Sequence, residues 1–270
     1  MRYTIGEFAS IIGITPDTLR LYEKQDIVRP SKDSANNYRY FNDLDVRGLL
    51  MSRWYRSMRI PLNEAAALVN GAGADEVRRS VGEAKLALEA SIEEQQRLLD
   101  KIREIQAGLE AAASGQGRCT VKEMPGRYRL RQTVRNRLLT GECVKERAGE
   151  WMELLPFAFF CLRLEGWRPD GTYQDQHAFS WGLALTEADM ELLGVQAGPG
   201  VEYLPPSRCL CSHVWLDGHA ECQADDFLFM LDEMQARGYE MGGDVTGKLL
   251  LNACRDGVRG SWLEIAIPLS

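Results

Sequence analysis

No apolar run in this 270-residue chain approaches the ~18 residues that a membrane-crossing helix needs. The opening stretch from Met1 to Phe8 carries Glu7 and lacks the apolar segment of a secretory leader. Export is therefore not expected; a cytoplasmic location with no membrane partner is. The seven cysteines are an odd number and cannot all pair within one chain, and in a cytoplasm they would stay reduced. There is no serine or cysteine nucleophile motif, no glycine-rich phosphate loop and no helical metalloprotease signature. Neither an enzyme nor a resident cofactor or metal is the expectation. What is present is 45% apolar and 26% charged residues, the composition of a globular chain, over a length that suits about two domains.

The net charge of −7 argues against a nucleic-acid partner only until it is divided along the chain. Residues 1–63 hold ten Lys/Arg against seven Asp/Glu, or +3, whereas residues 64–117 carry −4 and residues 118–270 carry −6. A basic head on an acidic body is what a DNA reader joined to a different kind of domain shows. Helix punctuation in that head is dense. Thr4-Ile5-Gly6-Glu7 fits a capping box, Phe8, Ile11 and Ile12 supply an apolar face, and Gly13 ends the helix as a left-handed cap would. Thr15 and Pro16 open a second helix as N-cap and first helical residue. Leu19 and Tyr22 face inward on it, and Arg20 and Lys24 stay at the surface. Two short helices joined by Gly13-Ile14 predict a helix-turn-helix whose second helix enters the major groove. Between Pro30 and Phe41, turn formers give way to Tyr38, Arg39 and Tyr40, which suits a hairpin wing that grips phosphates. Further helices are predicted from Asn42, with Val46, Leu49, Leu50 and Trp54, and from Pro61, with Ala65, Leu68 and Val69.

Three runs, Tyr3 to Glu7, Thr18 to Glu23 and Asn37 to Phe41, resemble the winged helix-turn-helix of MerR-type regulators and follow the family's order. The resemblance implies a recognition helix over Thr15 to Glu23, with Thr15, Thr18, Arg20 and Tyr22 as contacts to double-stranded promoter DNA. It implies wing contacts from Tyr38, Arg39 and Tyr40. Leu21 departs from the family, many of whose members carry a second tyrosine there.

From Asp75 to Ala113 there is no proline, and the glycines are Gly82 and Gly108. Val81, Leu88, Gln95, Ile102 and Leu109 recur at one heptad position, and Ala84, Ser91, Leu98, Ile105 and Ala112 at its partner. This predicts a coiled-coil helix roughly 55 Å long, with Gln95 as a polar break in the seam. MerR-type proteins dimerise through an antiparallel pair of such helices, so the resemblance implies a homodimer reading a pseudo-palindrome. Small residues and glycines over 111–117 read as a linker. The expected division is a DNA-binding domain at 1–73, a dimerisation helix at 74–114 and an effector domain at 115–270.

Beyond Arg118 the periodicity changes to alternation, and strand–helix–strand–strand occurs twice, at roughly 127–186 and 208–268. The fold class is α+β. The doubled unit resembles the GyrI-like small-molecule-binding domain of multidrug-responsive, BmrR-like members of the MerR family, and the closing run from Trp262 to Pro268 resembles that domain's last strand. In that domain a pocket receives apolar, often cationic, guests beside a buried carboxylate. Period-two counting groups His177, Phe179 and Trp181 on one strand face, Cys211, His213 and Trp215 on another, and Trp262 with Glu264 on a third. With Trp151, these aromatic residues are the expected effector cage. Val245 to Leu249 carries no acid where the family's multidrug type has one, leaving Glu264 as the candidate and a neutral or anionic guest as the expectation. The resemblance implies a ligand-responsive activator that distorts promoter DNA so that RNA polymerase holoenzyme engages it. Two alternatives are a metal or redox sensor drawing on Cys119, Cys143, Cys209, Cys211, His213, Cys222 and Cys254, and a GyrI-like hydrolase using Glu264 beside Trp262.

Overall fold

The computed structural model describes residues 2–33, 38–115, 117–134, 137–166, 179–218, 222 and 224–270. The chain divides into two compact units, Met1–Gln96 and Arg97–Ser270.

The first unit holds β1 (Tyr3–Thr4), α1 (Ile5–Ile12), α2 (Pro16–Lys24), β2 (Ser31–Lys32), β3 (Arg39–Phe41), α3 (Asp43–Ser57), α4 (Leu62–Val69) and the first part of α5 (Ala74–Gly115). Its three strands pair in the order β1-β3-β2. The caps form as the sequence predicts. The Thr4 hydroxyl accepts the Glu7 amide at 3.4 Å while the Glu7 carboxylate accepts the Thr4 amide at 2.9 Å. Gly13 closes α1 at φ 72°, a region that a residue with a Cβ enters only at a cost. The Thr15 hydroxyl then accepts the Thr18 amide at 3.1 Å, and Pro16 sits in the first turn of α2. Phe8, Leu19, Tyr22, Val28, Phe41 and Leu49 form the core, with the Phe8 and Phe41 rings stacked at 4.9 Å. Buried Asp45 accepts the Arg29 amide at 2.8 Å and the Asn42 amide at 2.9 Å, tying the base of the wing to the start of α3. A second cluster of Tyr55, Ile60, Ala65 and Leu68 packs against Val77, Val81 and Ala84 of α5.

The second unit takes the rest of α5, followed by β4 (Thr120–Met124), β5 (Arg127–Arg131), β6 (Thr133–Val134), β7 (Arg137–Leu138), α6 (Glu142–Met152), β8 (Phe159–Leu164) and β9 (Phe179–Thr186). Then come α7 (Glu187–Leu192), β10 (Val201–Leu204), β11 (Ser207–Asp217), a 3-10 turn (Ala224–Phe227), α8 (Leu228–Ala236), β12 (Val245–Arg255) and β13 (Val258–Pro268). Eight strands form one sheet in the order β10-β5-β9-β8-β12-β13-β11-β4. The doubling read from the sequence is visible in that order. Each copy runs strand, helix, strand, strand and places its third strand between the other two, as β5-β9-β8 and β11-β13-β12. The copies meet where β8 pairs antiparallel with β12. The strands β4, β7 and β10 and the helix α7 are not anticipated by the sequence pattern. The outer pairs are themselves symmetric, β10 on β5 and β4 on β11.

Cross-strand register separates the two faces of this sheet, because directly opposed residues share a face. One face is apolar. Leu162, Leu210, Leu263, Ile265 and Ile267 lie under Met230 and Met234 of α8, while Leu130, Leu183 and Leu185 lie against Trp151 of α6 and Met190 of α7. The other face follows the row Ser180, Arg163, Thr246, Ala266, Cys211 and its neighbour row Cys161, Lys248, Glu264, His213. That face is polar, and α5 reaches it, with Glu104 near Lys248 and Gly115 near His213.

Candidate functional site

Two arrangements can recognise a partner, and the first is the helix-turn-helix with its wing. Thr15 and Arg20 of α2 are exposed and Thr18 is half-buried. Arg20 pairs with Asp17 one turn earlier. In the wing, Tyr38 is 64% exposed, Arg39 is exposed and Tyr40 is half-buried. The Arg39 guanidinium donates to the Glu23 carboxylate at 2.8 Å, which ties the wing to the end of α2. The Arg20–Asp17 pair is solvent-exposed on both sides and contributes little, about 0–1 kcal/mol, whereas the Glu23 that holds Arg39 is half-buried. Tyr22 faces inward, as its place on α2 predicts, which sets it apart from the exposed residues that the family resemblance names with it as DNA contacts. Its ring is a core side chain, 7% exposed, because position 22 lies one turn after Leu19 on the inward stripe of α2. The surface that α2 and the wing present is Thr15, Thr18, Arg20, Tyr38, Arg39 and part of Tyr40.

The second arrangement is a cavity of about 520 Å³ in the second unit. One wall is a face of α5, Glu104, Ile105, Gly108 and Leu109; the others are Leu155, Pro156, Ala158 to Phe160, Lys248 to Asn252, and Glu264. Spacing of four residues stacks Glu104 on Gly108 and Ile105 on Leu109 along one side of the helix. In β12 the pairing with β13 slips between Leu249 and Leu251, adding one residue to that strand. Bulges of this kind re-aim side chains beside functional sites, and here Lys248 and Leu251, three apart, both stand opposite residues of the polar face, Glu264 and Trp262.

Charge around the cavity is organised in pairs. Glu264 accepts from Lys122 at 2.6 Å. Burial pushes its carboxyl up, but the Lys122 ammonium, with His213 and Lys248 beside it, outweighs burial and holds the carboxyl below its usual value. Lys101 is buried and donates to Asp189 at 2.8 Å and Glu104 at 2.9 Å. Burial pushes its ammonium down, and the two carboxylates more than reverse that. Lys248 lies 3.8 Å from Glu104 and 4.6 Å above the centre of the Phe159 ring. There burial prevails, and the ammonium is held below its usual value. His213, opposite Glu264, is pushed down by burial, which favours the neutral ring.

Among the described residues the expected aromatic cage does not assemble. Trp151 is fully buried in the apolar core beneath α6, and Phe179 is buried in the core beneath α8, with Trp181 packed against it. Phe179 and Trp181 oppose Leu164 and Leu162 on the apolar face, whereas Trp215, Trp262 and Glu264 stand on the polar one. Period-two counting groups residues along a strand but says nothing about which face each strand turns to its neighbours. His177 lies outside the described residues. Trp215 and Trp262 do meet, with ring centres 5.6 Å apart, and the Trp215 indole donates to Asp217 at 2.6 Å. Of the expected set, Glu264 borders the cavity. Sequence reasoning missed Lys248, Glu104 and Lys122, the cations and acid that set the cavity's charge.

Among the described residues, no three His, Cys, Asp or Glu side chains are placed to hold a metal ion together. Cys209 and Cys211 are buried with Ala266 beside Met124. Burial pushes the thiols of Cys211 and Cys222 up to about 12, which favours the neutral thiol over the thiolate at neutral pH.

The family model described as MerR family regulatory protein matches residues 4–41. Over 75 residues the chain is 35% identical to the HTH-type transcriptional activator TipA of Streptomyces coelicolor, a match covering 28% of this chain and 30% of TipA. It is 31% identical over 68 residues to the HTH-type transcriptional regulator ZntR of Escherichia coli, covering 25% of this chain and 48% of ZntR. The chain thus spans less than half the length of these curated relatives. The cryo-electron microscopy structure of an EcmrR–DNA complex aligns over 99% of both chains at 14% identity and a TM-score of 0.37, a likeness too distant to speak to chemistry. No helix among the described residues is long and apolar enough to cross a membrane. α1, the turn at Gly13, α2 and the wing strand β3 all lie inside the segment that matches the MerR family model, so the likeness of this chain to MerR regulatory proteins is one of its helix-turn-helix and wing.

Proposed function

We propose that the chain is a dimeric, ligand-responsive transcriptional regulator, with the first unit binding promoter DNA and the cavity of the second binding a small effector. The observation that carries this reading is the shared helix. The 42-residue α5 gives Val77 and Val81 to a core of the first unit and Glu104 to Leu109 to the cavity wall of the second. An effector that touches α5 therefore touches an element of the DNA-binding unit. A GyrI-like character for the second unit rests on its doubled strand–helix–strand–strand sheet.

Dimerisation is supported by the middle of α5. Leu88, Ile92, Leu98, Leu99 and Ile102 are exposed, and Leu88, Ile92, Gln95, Leu99 and Ile102 follow a strict four-three spacing. The partner position read from the sequence turns to its own chain at both ends, with Ala84 in a first-unit cluster and Ala112 buried. In the proposed mechanism, effector binding favours the dimer geometry that holds bent, untwisted DNA, so RNA polymerase holoenzyme engages the promoter. Deformation of DNA costs on the order of 1–10 kcal/mol, and an effector shifts the balance only by its differential affinity for the two geometries.

Fluorescence anisotropy with fragments of the source genome at low salt tests the DNA-binding half. Arg20→Ala and Arg39→Ala are each expected to weaken binding by about tenfold, the loss of one charged contact, with the dimer intact by light scattering. Failure of the wild-type chain to bind any fragment would overturn the reading.

A further inference from the structure

The charges around the cavity are not equally committed. Glu264 is 17% exposed and already holds Lys122 at 2.6 Å, so a cationic guest would compete with an ammonium in place. Lys101 is held by Asp189 and Glu104 at ordinary hydrogen-bond distances. Lys248 is different. Its ion partner is Glu104 at 3.8 Å, beyond hydrogen-bond reach, and that carboxylate is 56% exposed and already accepts from Lys101. Its other neighbours are the face of Phe159, which attracts a cation but does not match a carboxylate as an acceptor, and Glu264 across the strand pair, whose carboxylate is already held by Lys122. An anion entering the cavity gains a desolvated ammonium at the expense of one long pair whose acid can turn to water. A cation meets Glu264 and Glu104, and each already accepts from a lysine at hydrogen-bond distance.

We propose that the cavity takes a monoanion with an apolar body, an aromatic or branched aliphatic acid in chemical class, whose acid group pairs with Lys248 in place of Glu104. The inference rests on reading this cavity as the effector site. Ile105, Leu109, Leu155, Phe160, Leu250 and Leu251 supply the apolar wall, and a charge-assisted hydrogen bond inside such a wall is stronger than one in water. Burial holds the Lys248 ammonium below its usual value; a bound anion would restore it.

The test uses the full chain and three probes: anilinonaphthalene sulfonate, its uncharged parent phenylnaphthylamine, and tetraphenylphosphonium. Calorimetry measures each affinity. The sulfonate is expected to bind about tenfold more tightly than the uncharged parent, as one hydrogen bond to a charge provides. Lys248→Gln should erase that preference and leave the parent's affinity as it was, which also shows that the variant is folded. Glu104→Gln should raise sulfonate affinity a few-fold by removing the competitor. Phosphonium binding above sulfonate binding, or a sulfonate affinity untouched by Lys248→Gln, overturns the anionic class while leaving the cavity as a binding site. No binding by any probe overturns both the class and the cavity's role, and leaves DNA binding to be judged by its own measurement.

Discussion

The two faces of the eight-stranded sheet are built on opposite principles. On one, Leu263, Ile265, Leu183 and their neighbours are sealed by α6, α7 and α8. On the other, Arg129 is fully buried with its guanidinium on Glu202 and Ser180, Arg163 joins Glu202 at 2.7 Å to Asp244 at 2.8 Å, and Lys122 meets Glu264. Apolar burial is non-directional and holds at any pH or salt. Buried ion pairs lose much of their Coulomb gain to desolvation and rarely add net stability. A face that keeps them is poorly explained by stability alone, but its groups can change partners, and this is the face that borders the cavity.

The comparison can be broken by unequal substitutions. Phe227→Ala removes a fully buried ring beneath α8 and is expected to cost about 3–5 kcal/mol. Urea unfolding followed by tryptophan fluorescence measures it, since five of the six tryptophans fall in residues 97–270. On the polar face, Arg129→Ala should cost about 3 kcal/mol, because it leaves part of Glu202 buried without its partner. Arg129→Met, which keeps the volume, should cost about 1 kcal/mol or less, as Glu202 retains Arg163. If Arg129→Met is as damaging as Phe227→Ala, the polar face is as structural as the apolar one and the contrast fails.

What the sequence made legible follows from how local each signal is. Thr4, Gly13, Thr15 and Pro16 act within one turn of their own helix, and all four sit where the sequence puts them. Alternation located most strands and the doubling in the same way. Pairing is not local. Whether Phe179 and Glu264 share a face depends on β8 and β12, which lie between them, so the cage was drawn across both sides of one sheet. The bulge at Leu249 to Leu251 also escapes counting by two. One missed element did carry a signal: Thr186 accepts the Asp189 amide at 3.0 Å as the cap of α7, a Thr-x-x-Asp pattern of the kind that marks helix starts.

The smallest expected effect sharpens the contrast by pH. Glu264 has a folded carboxyl pKa below the ordinary 4.5. The unfolded chain therefore binds its proton first as pH falls, and stability drops with it. The contribution of the Lys122–Glu264 pair is complete above that ordinary value and is lost as pH falls through the depressed one. Lys122 is 41% exposed, so solvent screens the pair and the contribution is about 1 kcal/mol at most. Urea midpoints at pH 7 and pH 3 for wild type and Glu264→Gln isolate it, because the amide cannot titrate. Wild type should lose more on acidification than the variant, by that amount. An equal loss in both would mean that Lys122, His213 and Lys248 together do not hold the carboxylate charged, and that Glu264 is open to a cationic guest after all.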